Sequence, residues 1–265
     1  MITSPGNARM KSLVNMRQKA KARKAADAFL TEGIKMFLEA PVNRIREVYI
    51  SESFSCQDEK TREAVNEKLK SVAYETVSEE VFKKISDTCS PQGILCVMQA
   101  YHYELSDLLK RENPLLLLLE DIQDPGNLGT MMRTGEGAGI DGIIMSRDTV
   151  DIYNPKTIRA TMGSVYRVPF FYAEDFHEVM KELQEKGIRI FAAHLKGENT
   201  YDAGDYTNGC GFLIGNEGNG LKKETADLAD CYMKIPMEGA VESLNAGIAA
   251  AIVMYEAARQ RRSQK

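Results

Sequence analysis

Residues 115–129 read LLLLLEDIQDPGNLG, and this stretch decides the fold class of the chain. The five consecutive leucines, Leu115–Leu119, form an apolar run of strand length, which is typical of a strand buried on both faces of a parallel sheet. The residues after them contain a turn at Pro125-Gly126, followed by Asn127 where a helix N-cap is expected. A buried strand, a loop and a helix start together indicate the beginning of an α/β unit.

Short apolar runs alternate with longer amphipathic segments from residue 106 to residue 265. This spacing predicts a domain with a mostly parallel sheet and helices on both of its faces. After the first strand, further strands are expected at 142–145, 167–171, 188–193, 211–214 and 231–235. Helices are expected at 127–138, 155–162, 176–185 and 243–262, and the last of these is rich in alanine.

Residues 1–105 are predicted to form a smaller α/β domain, which a charged stretch near 103–114 joins to the larger one. Asn7 is a candidate N-cap for a first helix, and a second helix is expected from about Ala25 to Glu39, before Pro41. Further helices are expected at 60–70 and after Ser78, and strands at 48–50, 72–74 and 93–100. The predicted fold class is therefore α/β throughout.

The composition is that of an ordinary globular protein. Of the 265 residues, 43% are hydrophobic and 27% are charged, which argues against wholesale disorder. No apolar run approaches the ~18 residues of a membrane span, and no signal peptide is evident. Five cysteines form no CxxC pair and three histidines lie far apart, so neither a zinc site nor a disulfide framework is expected. A reducing cytoplasm fits this cysteine usage best.

Charge is distributed unevenly along the chain. The net charge is −4, with 16 Lys and Arg against 14 Asp and Glu in residues 1–105, and 18 against 24 in the remainder. Residues 1–24 contain no acidic residue and seven basic ones, which we term the basic arm: Arg9, Lys11, Arg17, Lys19, Lys21, Arg23 and Lys24. A polyanionic partner would explain this arm, and so would a solvated helix face. Charge alone leaves both interpretations open.

Three loops follow predicted strands, at the carboxyl ends where parallel α/β sheets bind ligands. They span residues 120–129, 215–221 and 235–246. The second loop reads GNEGNGL, and its three glycines let the backbone approach a ligand closely. Each loop also has a purely structural explanation: a capped helix with a surface arginine at Arg133, a tight turn, and a plain N-cap at Ser243.

These loops lack the signatures of several enzyme classes. Neither the glycine-rich loop nor GEGAG at 135–139 is the GxGxxG fingerprint of a dinucleotide fold, which disfavours an oxidoreductase. No Walker lysine and no Ser/His/Asp or Cys/His set is present. Asn245 stands out, because asparagine is a poor residue inside a helix and its amide there can point into a site formed with the other two loops.

Taken together, the three loops resemble the SpoU–TrmH family of RNA ribose methyltransferases, within the SPOUT superfamily. The resemblance rests on Asp124–Gly129 with Arg133, on Ile214–Leu221, and on Ile235–Met237 with Glu242–Asn245. It implies a trefoil knot in the larger domain, in which the C-terminal part of the chain threads through a loop, although true knots are rare in proteins. The stretch 29–33 (FLTEG) is similar to the ribosomal-protein-like RNA substrate-binding domain of many members.

The resemblance also implies a chemistry and a set of residues. The expected reaction transfers a methyl group from S-adenosylmethionine to a ribose 2′-hydroxyl, without a metal ion. Arg133 is expected to orient the ribose as a phosphate-bound cation, because a guanidinium is a poor base. Cofactor contacts are expected from Gly215, Ile235 and Leu244. The catalytic or RNA-binding positions of the family are occupied here by Asn127, Arg133, Glu217, Ser243 and Asn245.

The implied partner is structured RNA, and ribosomal RNA is favoured over transfer RNA because of the appended N-terminal domain. A homodimer is expected, with each site completed by the partner subunit. Two alternatives stay open, namely a transfer RNA ribose methyltransferase and a non-catalytic RNA-binding assembly factor. Five residues of the basic arm are expected to contact RNA phosphates: Arg17, Lys19, Lys21, Arg23 and Lys24.

Overall fold

The computed structural model describes residues 1–195, 197 and 199–264. The chain divides into two compact units. The first contains Met1–Tyr101 together with Asp151–Tyr166, and the second contains His102–Val150 and the chain from Arg167 onward. The second unit therefore differs from the predicted domain of residues 106–265 in that it begins at His102 and lacks residues 151–166.

Helices and strands alternate along most of the described chain. The helices are α1 (Ala8–Gln18), α2 (Ala20–Ala26), α3 (Ile34–Glu39), α4 (Glu59–Leu69), α5 (Glu79–Ile85), α6 (Leu105–Leu108), α7 (Pro125–Ala138), α8 (Pro155–Thr161), α9 (Phe176–Glu185), α10 (Lys223–Ala226) and α11 (Ala246–Arg262). The strands are β1 (Ala28–Glu32), β2 (Ile45–Ser51), β3 (Tyr74–Val77), β4 (Ile94–Gln99), β5 (Leu115–Leu119), β6 (Gly142–Ser146), β7 (Phe170–Ala173), β8 (Arg189–Ala193), β9 (Asn199–Thr200), β10 (Cys210–Ile214) and β11 (Cys231–Lys234). Over the described ranges, no helix has both the length and the apolar character needed to cross a membrane.

The first unit is built on a four-stranded sheet with the order β1-β4-β2-β3. β4 runs antiparallel to both of its neighbours, and β3 runs parallel to β2. One apolar core joins α1 and α5 to this sheet, with Leu13 and Phe82 packed in the same cluster as Leu95. Asn7 caps α1 as predicted, because its Oδ1 accepts from the backbone N of Arg9 at 2.8 Å.

The predicted helix over residues 25–39 is wrong. α2 ends at Ala26 and its C-cap is Asp27, whose φ of +47° lies in the left-handed region; Gly33 at φ +106° precedes α3. Between these two positions the chain forms β1, which pairs with β4 and is buried over most of its length. Pairing with a distant strand outweighs the helix propensity of the alanine-rich residues before it.

Residues 151–166 connect β6 to β7 and pack within the first unit. Asp151 forms a 2.6 Å ion pair with Arg23. The ring of Tyr153 stacks on Phe29 of β1, with the ring centroids 4.4 Å apart. α8 of this segment also lies against β1. The first unit is therefore assembled from two separate stretches of sequence.

The second unit contains a seven-stranded sheet with the order β7-β6-β5-β10-β8-β11-β9. The six strand pairings of this sheet that the described residues form are all parallel, which confirms the predicted fold class. β5 lies inside the sheet between β6 and β10, and its five leucines are buried. A strand without a solvent-facing side has no reason to alternate polar and apolar residues, which explains the leucine run.

The last helix, α11, packs along α7, and Arg261 fixes its C-terminal end. The guanidinium of Arg261 donates to the carbonyls of Asn113, Tyr206 and Asn208, at 2.8, 2.8 and 2.6 Å. These hydrogen bonds hold the end of the helix between two segments that are far apart in sequence.

Candidate functional site

Three loops of the second unit follow β5, β10 and β11 at their carboxyl ends. They span residues 120–124, 215–222 and 235–245. A cleft of about 330 Å³ lies between the second and third loops, and residues 193–195 at the end of β8 also border it. Five residues that the sequence predicted for the site line this cleft: Gly215, Glu217, Ile235, Ser243 and Leu244.

The helix after the first loop, α7, begins at Pro125, two residues before the predicted start. Asp124 is its N-cap, because Oδ1 of Asp124 accepts from the backbone N of Asn127 at 2.7 Å. Proline suits the first helical position, since its missing N–H would have no partner there. The predicted N-cap role of Asn127 is therefore wrong, and its side chain is left to make contacts across the loops.

A chain of hydrogen bonds connects one residue from each loop region. Nδ2 of Asn245 donates to Oδ1 of Asn127 at 2.9 Å, and Nδ2 of Asn127 donates to Oε1 of Glu217 at 3.0 Å. Because a carboxylate can only accept, Glu217 fixes the amide orientation of Asn127, and Asn127 then fixes that of Asn245. The structure thus brings together three of the five predicted catalytic residues.

Glu217 is exposed, and its carboxylate nevertheless accepts several hydrogen bonds. Besides the amide of Asn127, it accepts from the backbone N of Gln123 and of Asp124, both at 3.0 Å. Partial burial acts to raise the pKa of Glu217. The hydrogen bonds from Asn127, Gln123 and Asp124 outweigh that effect and hold the pKa below its ordinary value. Glu217 is therefore suited to anchor its neighbours as an anion.

The helix after the third loop, α11, begins at Ala246, three residues after the predicted start. Asn245 is the N-cap, with Oδ1 accepting from the backbone N of Gly247 at 2.9 Å and of Ile248 at 3.2 Å. The predicted N-cap, Ser243, lies outside the helix and is exposed on the wall of the cleft. Asn245 therefore has two roles, since its oxygen caps the helix and its nitrogen holds Asn127.

The glycine-rich loop, residues 215–221, is closed on itself. Asn216 and Gly220 exchange two backbone hydrogen bonds, of 3.1 and 2.9 Å. A Cβ at Gly215 would lie 2.3 Å from the backbone N of Leu221 and 2.4 Å from the carbonyl carbon of Gly220. The sequence pattern predicts that position 215 is a glycine because a ligand approaches the backbone closely there. In the structure it is the backbone of the loop itself that leaves no room for a side chain.

Arg133 lies on the exposed side of α7, six residues beyond Asn127, which corresponds to a rise of about 9 Å along the helix. Within the part of the chain that the structure describes, it has no ion-pair or hydrogen-bond partner. A guanidinium without a partner at the surface is available to an anion from outside the chain.

The basic arm contains both structural and exposed residues. Arg23 is only 5% exposed, and its ion pair with Asp151 occupies the guanidinium within the first unit. Arg17 donates to two backbone carbonyls at the end of α5. Three of the five predicted RNA contacts are exposed lysines: Lys19, Lys21 and Lys24.

Sequence reasoning did not identify the residues after β5 that hydrogen-bond to the glycine-rich loop and hold it in place. Glu120 is 3% exposed and accepts from the backbone N of Lys222 at 2.9 Å. Asp121 has a left-handed φ of +53°, and its carbonyl accepts from Nδ2 of Asn216 at 2.8 Å. The available signal was an acidic residue directly after five leucines, because a buried carboxylate needs partners.

Both units match known families. Residues 114–255 match the SpoU rRNA methylase family, and residues 7–96 match the MRM3-like substrate binding domain. The parallel sheet with its cleft is thus the catalytic part of an RNA methyltransferase, and the first unit carries a substrate-binding domain. The chain belongs to the SpoU rRNA methylase family and is an S-adenosylmethionine-dependent RNA 2′-O-ribose methyltransferase.

Relatives and solved structures agree with this membership. The 23S rRNA (guanosine(2553)-2′-O)-methyltransferase RlmP of Bacillus subtilis is 32% identical over 68% of this chain and 70% of its own. The 23S rRNA (guanosine-2′-O-)-methyltransferase RlmB of Neisseria meningitidis is 32% identical over 82% of this chain and 88% of its own. AviRb of Streptomyces viridochromogenes in complex with AdoMet has a TM-score of 0.86 at 26% identity, covering 97% of this chain and 99% of its own. The AdoMet-bound rRNA methyltransferase of Sinorhizobium meliloti has a TM-score of 0.84 at 31% identity, covering 97% of each chain.

The residues around the cleft suit S-adenosylmethionine. The glycine-rich loop offers backbone groups, Ile235 and Leu244 offer apolar surface, and Glu217 and Ser243 add polar groups. A mostly apolar wall with few polar groups is typical of small-molecule sites, whose volumes are roughly 300–1,000 Å³. Across residues 1–195, 197 and 199–264, no group of three His, Cys, Asp or Glu side chains could hold a metal ion.

Proposed function

We propose that the protein methylates the ribose 2′-hydroxyl of a guanosine in 23S rRNA. The printed names of RlmB and RlmP support this target, and RlmB of Neisseria meningitidis matches most of the present chain. A structure named for tRNA modification, the A. aeolicus TrmH/SpoU enzyme, covers only 60% of this chain, with a TM-score of 0.52. A relative that matches across both units is thus named for 23S rRNA, which favours rRNA over tRNA as the target.

The observation that carries this proposal is the hydrogen-bonded chain from Asn245 through Asn127 to Glu217, beside the cleft. When bound, S-adenosylmethionine supplies an electrophilic methyl group. The protein has to hold the ribose hydroxyl in line with that methyl group and share its proton. Glu217 accepts three hydrogen bonds and has a lowered pKa, which makes it a poor proton acceptor. Its proposed role is to hold the two amides rigid, so that they orient the ribose.

Arg133 is the proposed cation of the site. Its exposed guanidinium is suited to bind the phosphate next to the target ribose and to stabilise negative charge on the 2′ oxygen as the proton leaves. A guanidinium does not deprotonate in proteins, so Arg133 is not proposed as the base. Ser243, exposed on the wall of the cleft, is proposed as a further contact to the RNA.

The proposed active form is a homodimer in which α7 and α11 form the interface. Two large apolar residues of α11 are exposed: Ile248 is 53% exposed and Tyr255 is 47% exposed. They are seven residues apart and therefore lie on the same side of the helix. Tyr255 lies over α7, since a Cβ on Gly137 would be 2.8 Å from its hydroxyl. Arg133 is on the exposed side of the same α7, so a partner subunit there would help to complete the site.

The proposed RNA contacts of the basic arm are its exposed lysines, Lys19, Lys21 and Lys24. Arg17 and Arg23 are proposed to support the arm, because their guanidinium groups are occupied within the first unit. The proposed compartment is the cytoplasm, since the five cysteines are all free and a reducing environment keeps them so.

The experiment is methyl transfer from labelled S-adenosylmethionine to 23S rRNA and to total tRNA, both isolated from a strain that lacks the protein. Mass spectrometry then maps the modified nucleotide. We expect one 2′-O-methylguanosine in 23S rRNA and no transfer to tRNA. Transfer to tRNA alone would refute the proposed target. RNA binding without any transfer by the wild-type protein would instead indicate an assembly factor.

A further inference from the structure

A buried carboxylate lies directly behind the glycine-rich loop and takes no part in the proposed chemistry. Glu120 is the first residue after β5 and does not line the cleft. Its Oε2 accepts from the backbone N of Lys222 at 2.9 Å, and its Oε1 accepts from the hydroxyl of the fully buried Thr225. Because a buried carboxylate is costly without its hydrogen bonds, these two contacts fix its position.

The neighbouring residue holds both ends of the loop. The carbonyl of Asp121 accepts from Nδ2 of Asn216 at 2.8 Å, and its carboxylate pairs with Nζ of Lys222 at 2.6 Å. Ser146 holds Asp121 in turn, since its hydroxyl oxygen lies 2.8 Å from the backbone N and 2.7 Å from the carboxylate of Asp121. Glu120 and Asp121 therefore fix the start and the end of the segment that forms one wall of the cleft.

We propose that Glu120 is a positioning residue for cofactor binding. Glu120 accepts hydrogen bonds from Lys222 and Thr225 at the same time. These two contacts fix the backbone conformation of the glycine-rich loop, which forms one wall of the cleft. The proposal rests on the assignment of this cleft as the S-adenosylmethionine site. Glu120 affects the affinity for the cofactor only indirectly, through the glycine-rich loop.

The contacts of Thr225 predict which substitution is tolerated. Its hydroxyl oxygen also lies 2.8 Å from Nε2 of His177. Beside a carboxylate, Thr225 donates to Glu120 and accepts from His177. Beside a glutamine, the amide oxygen accepts from Lys222, the amide nitrogen donates to Thr225, and the hydroxyl turns to donate to the other tautomer of His177. All the hydrogen bonds survive, so side-chain length matters here and charge does not.

Two conservative substitutions at Glu120 distinguish the effect of side-chain length on cofactor binding from the effect of negative charge. Glu120→Gln keeps both hydrogen bonds, so the Kd for S-adenosylhomocysteine, measured by calorimetry, should stay within about 3-fold of wild type. Glu120→Asp keeps the charge and is one methylene shorter, so it cannot reach both donors. Its Kd should rise by ~10-fold, the equivalent of one lost hydrogen bond to a charged group.

Asp141 provides a matched control at the opposite end of the same strand. Its carboxylate accepts from the backbone N of Leu115, the first residue of β5, at 2.8 Å. Asp141→Ala should lower the Tm and leave the Kd for S-adenosylhomocysteine unchanged. Amide hydrogen exchange should accelerate across residues 216–222 in Glu120→Asp, and not in Asp141→Ala.

Three results would overturn the proposal: wild-type affinity in Glu120→Asp, equally weak binding in Glu120→Gln and Glu120→Asp, or weakened binding in Asp141→Ala. The second would show that the loop needs the negative charge as well as the side-chain length, so that hydrogen bonding at two points is not sufficient. The third would show a general effect of stability. If the wild-type protein itself did not bind S-adenosylhomocysteine, the assignment of the cleft as the cofactor site would be wrong. Failure of that assignment is therefore distinguishable from failure of the proposal for Glu120, which concerns only the variants.

Discussion

Asn245 and Asn127 are 118 positions apart in the sequence, and the amide nitrogen of the first donates to the amide oxygen of the second at 2.9 Å. The same Asn245 caps α11 with its oxygen. One side chain therefore connects the start of the last helix to the start of α7. Because the two ends of the amide have different partners, substitutions can separate the helix-capping role of Asn245 from its proposed role in the active site.

Asn245→Asp should keep the cap and lose the contact to Asn127. Aspartate is as good an N-cap as asparagine, so the free energy of unfolding should stay within ~0.5 kcal/mol of wild type. Its second oxygen would face Oδ1 of Asn127 in place of a donor, so methyl transfer should fall by about 10-fold or more. Asn245→Ala should lose activity and also about 1 kcal/mol of stability. Urea unfolding and single-turnover rates check both, and a fully active Asn245→Asp would contradict the role.

Gly215→Ala should weaken cofactor binding by distorting the loop. The added Cβ would lie 2.3 Å from the backbone N of Leu221, so the backbone has to move. Overpacking of this kind costs roughly 1–3 kcal/mol, which corresponds to a rise of ~5-fold to ~150-fold in the Kd for S-adenosylhomocysteine. Gly239→Ala is the control, since no atom lies within 4 Å of its added Cβ. Calorimetry that gives equal affinities for the two variants would show that Gly215 does not shape the site.

Arg133→Ala should abolish most methyl transfer and leave the cofactor Kd unchanged. We expect a loss of about 100-fold or more in kcat, the usual effect of removing a donor that stabilises developing charge. The fold should tolerate the change, with a difference in stability within ~0.5 kcal/mol, because the side chain is exposed. Arg133→Lys should also be poor, since an ammonium cannot reproduce a planar fork. Near-normal turnover by the alanine variant would remove Arg133 from the mechanism.

Glu217 should make stability depend on pH. Its pKa in the folded protein is below the ordinary value of 4.5, so the carboxylate binds its proton more weakly when folded than when unfolded. Its contribution is therefore complete above about pH 4.5 and is lost as pH falls through the lowered pKa. Glu217→Gln should lack this contribution. The difference in unfolding free energy between the two proteins should shrink from pH 7 towards pH 3, and a constant difference would contradict the hydrogen-bonding account.

Neutralising Lys19, Lys21 and Lys24 together should weaken RNA binding and flatten its salt dependence. Each phosphate contact contributes about −0.7 to −0.9 to the slope of log affinity against log salt, so three contacts should change the slope by roughly 2 to 3. Arg23→Ala should leave the slope unchanged and lower stability by roughly 1–3 kcal/mol, because it leaves Asp151 unpaired. Parallel salt plots for the wild type and the triple lysine variant would assign RNA capture to other residues.

Local patterns predicted the fold wherever the deciding contacts are between neighbours in sequence or along one strand. The leucine run predicted a buried parallel strand, and β5 is one. The helix expected at 25–39 was wrong because β1 is stabilised by β4, whose Gln99 is paired with Ala28. The packing of residues 151–166 was beyond sequence reasoning for the same reason, since it depends on partners such as Arg23 and Phe29.

The resemblance to a known family predicted which residues belong to the candidate site. It did not predict the hydrogen bonds that these residues make. Both helix starts offered two good capping residues within three positions, Asp124 or Asn127 and Ser243 or Asn245. Composition does not choose between such pairs, because the path of the backbone decides which oxygen meets the free N–H groups. In α7 that path selects Asp124 and thereby releases Asn127 to face the other loops.

Residues 151–166 have a consequence for how such enzymes diversify. The chain passes from one unit to the other three times, after Tyr101, after Val150 and after Tyr166. A recombination event that exchanged only residues 1–101 between two relatives would leave Asp151 facing a foreign substitute for Arg23. We therefore expect viable chimeras to need residues 151–166 from the same parent. Exchange of the N-terminal part alone is therefore expected to fail, because the first unit is built from two separate stretches of the sequence.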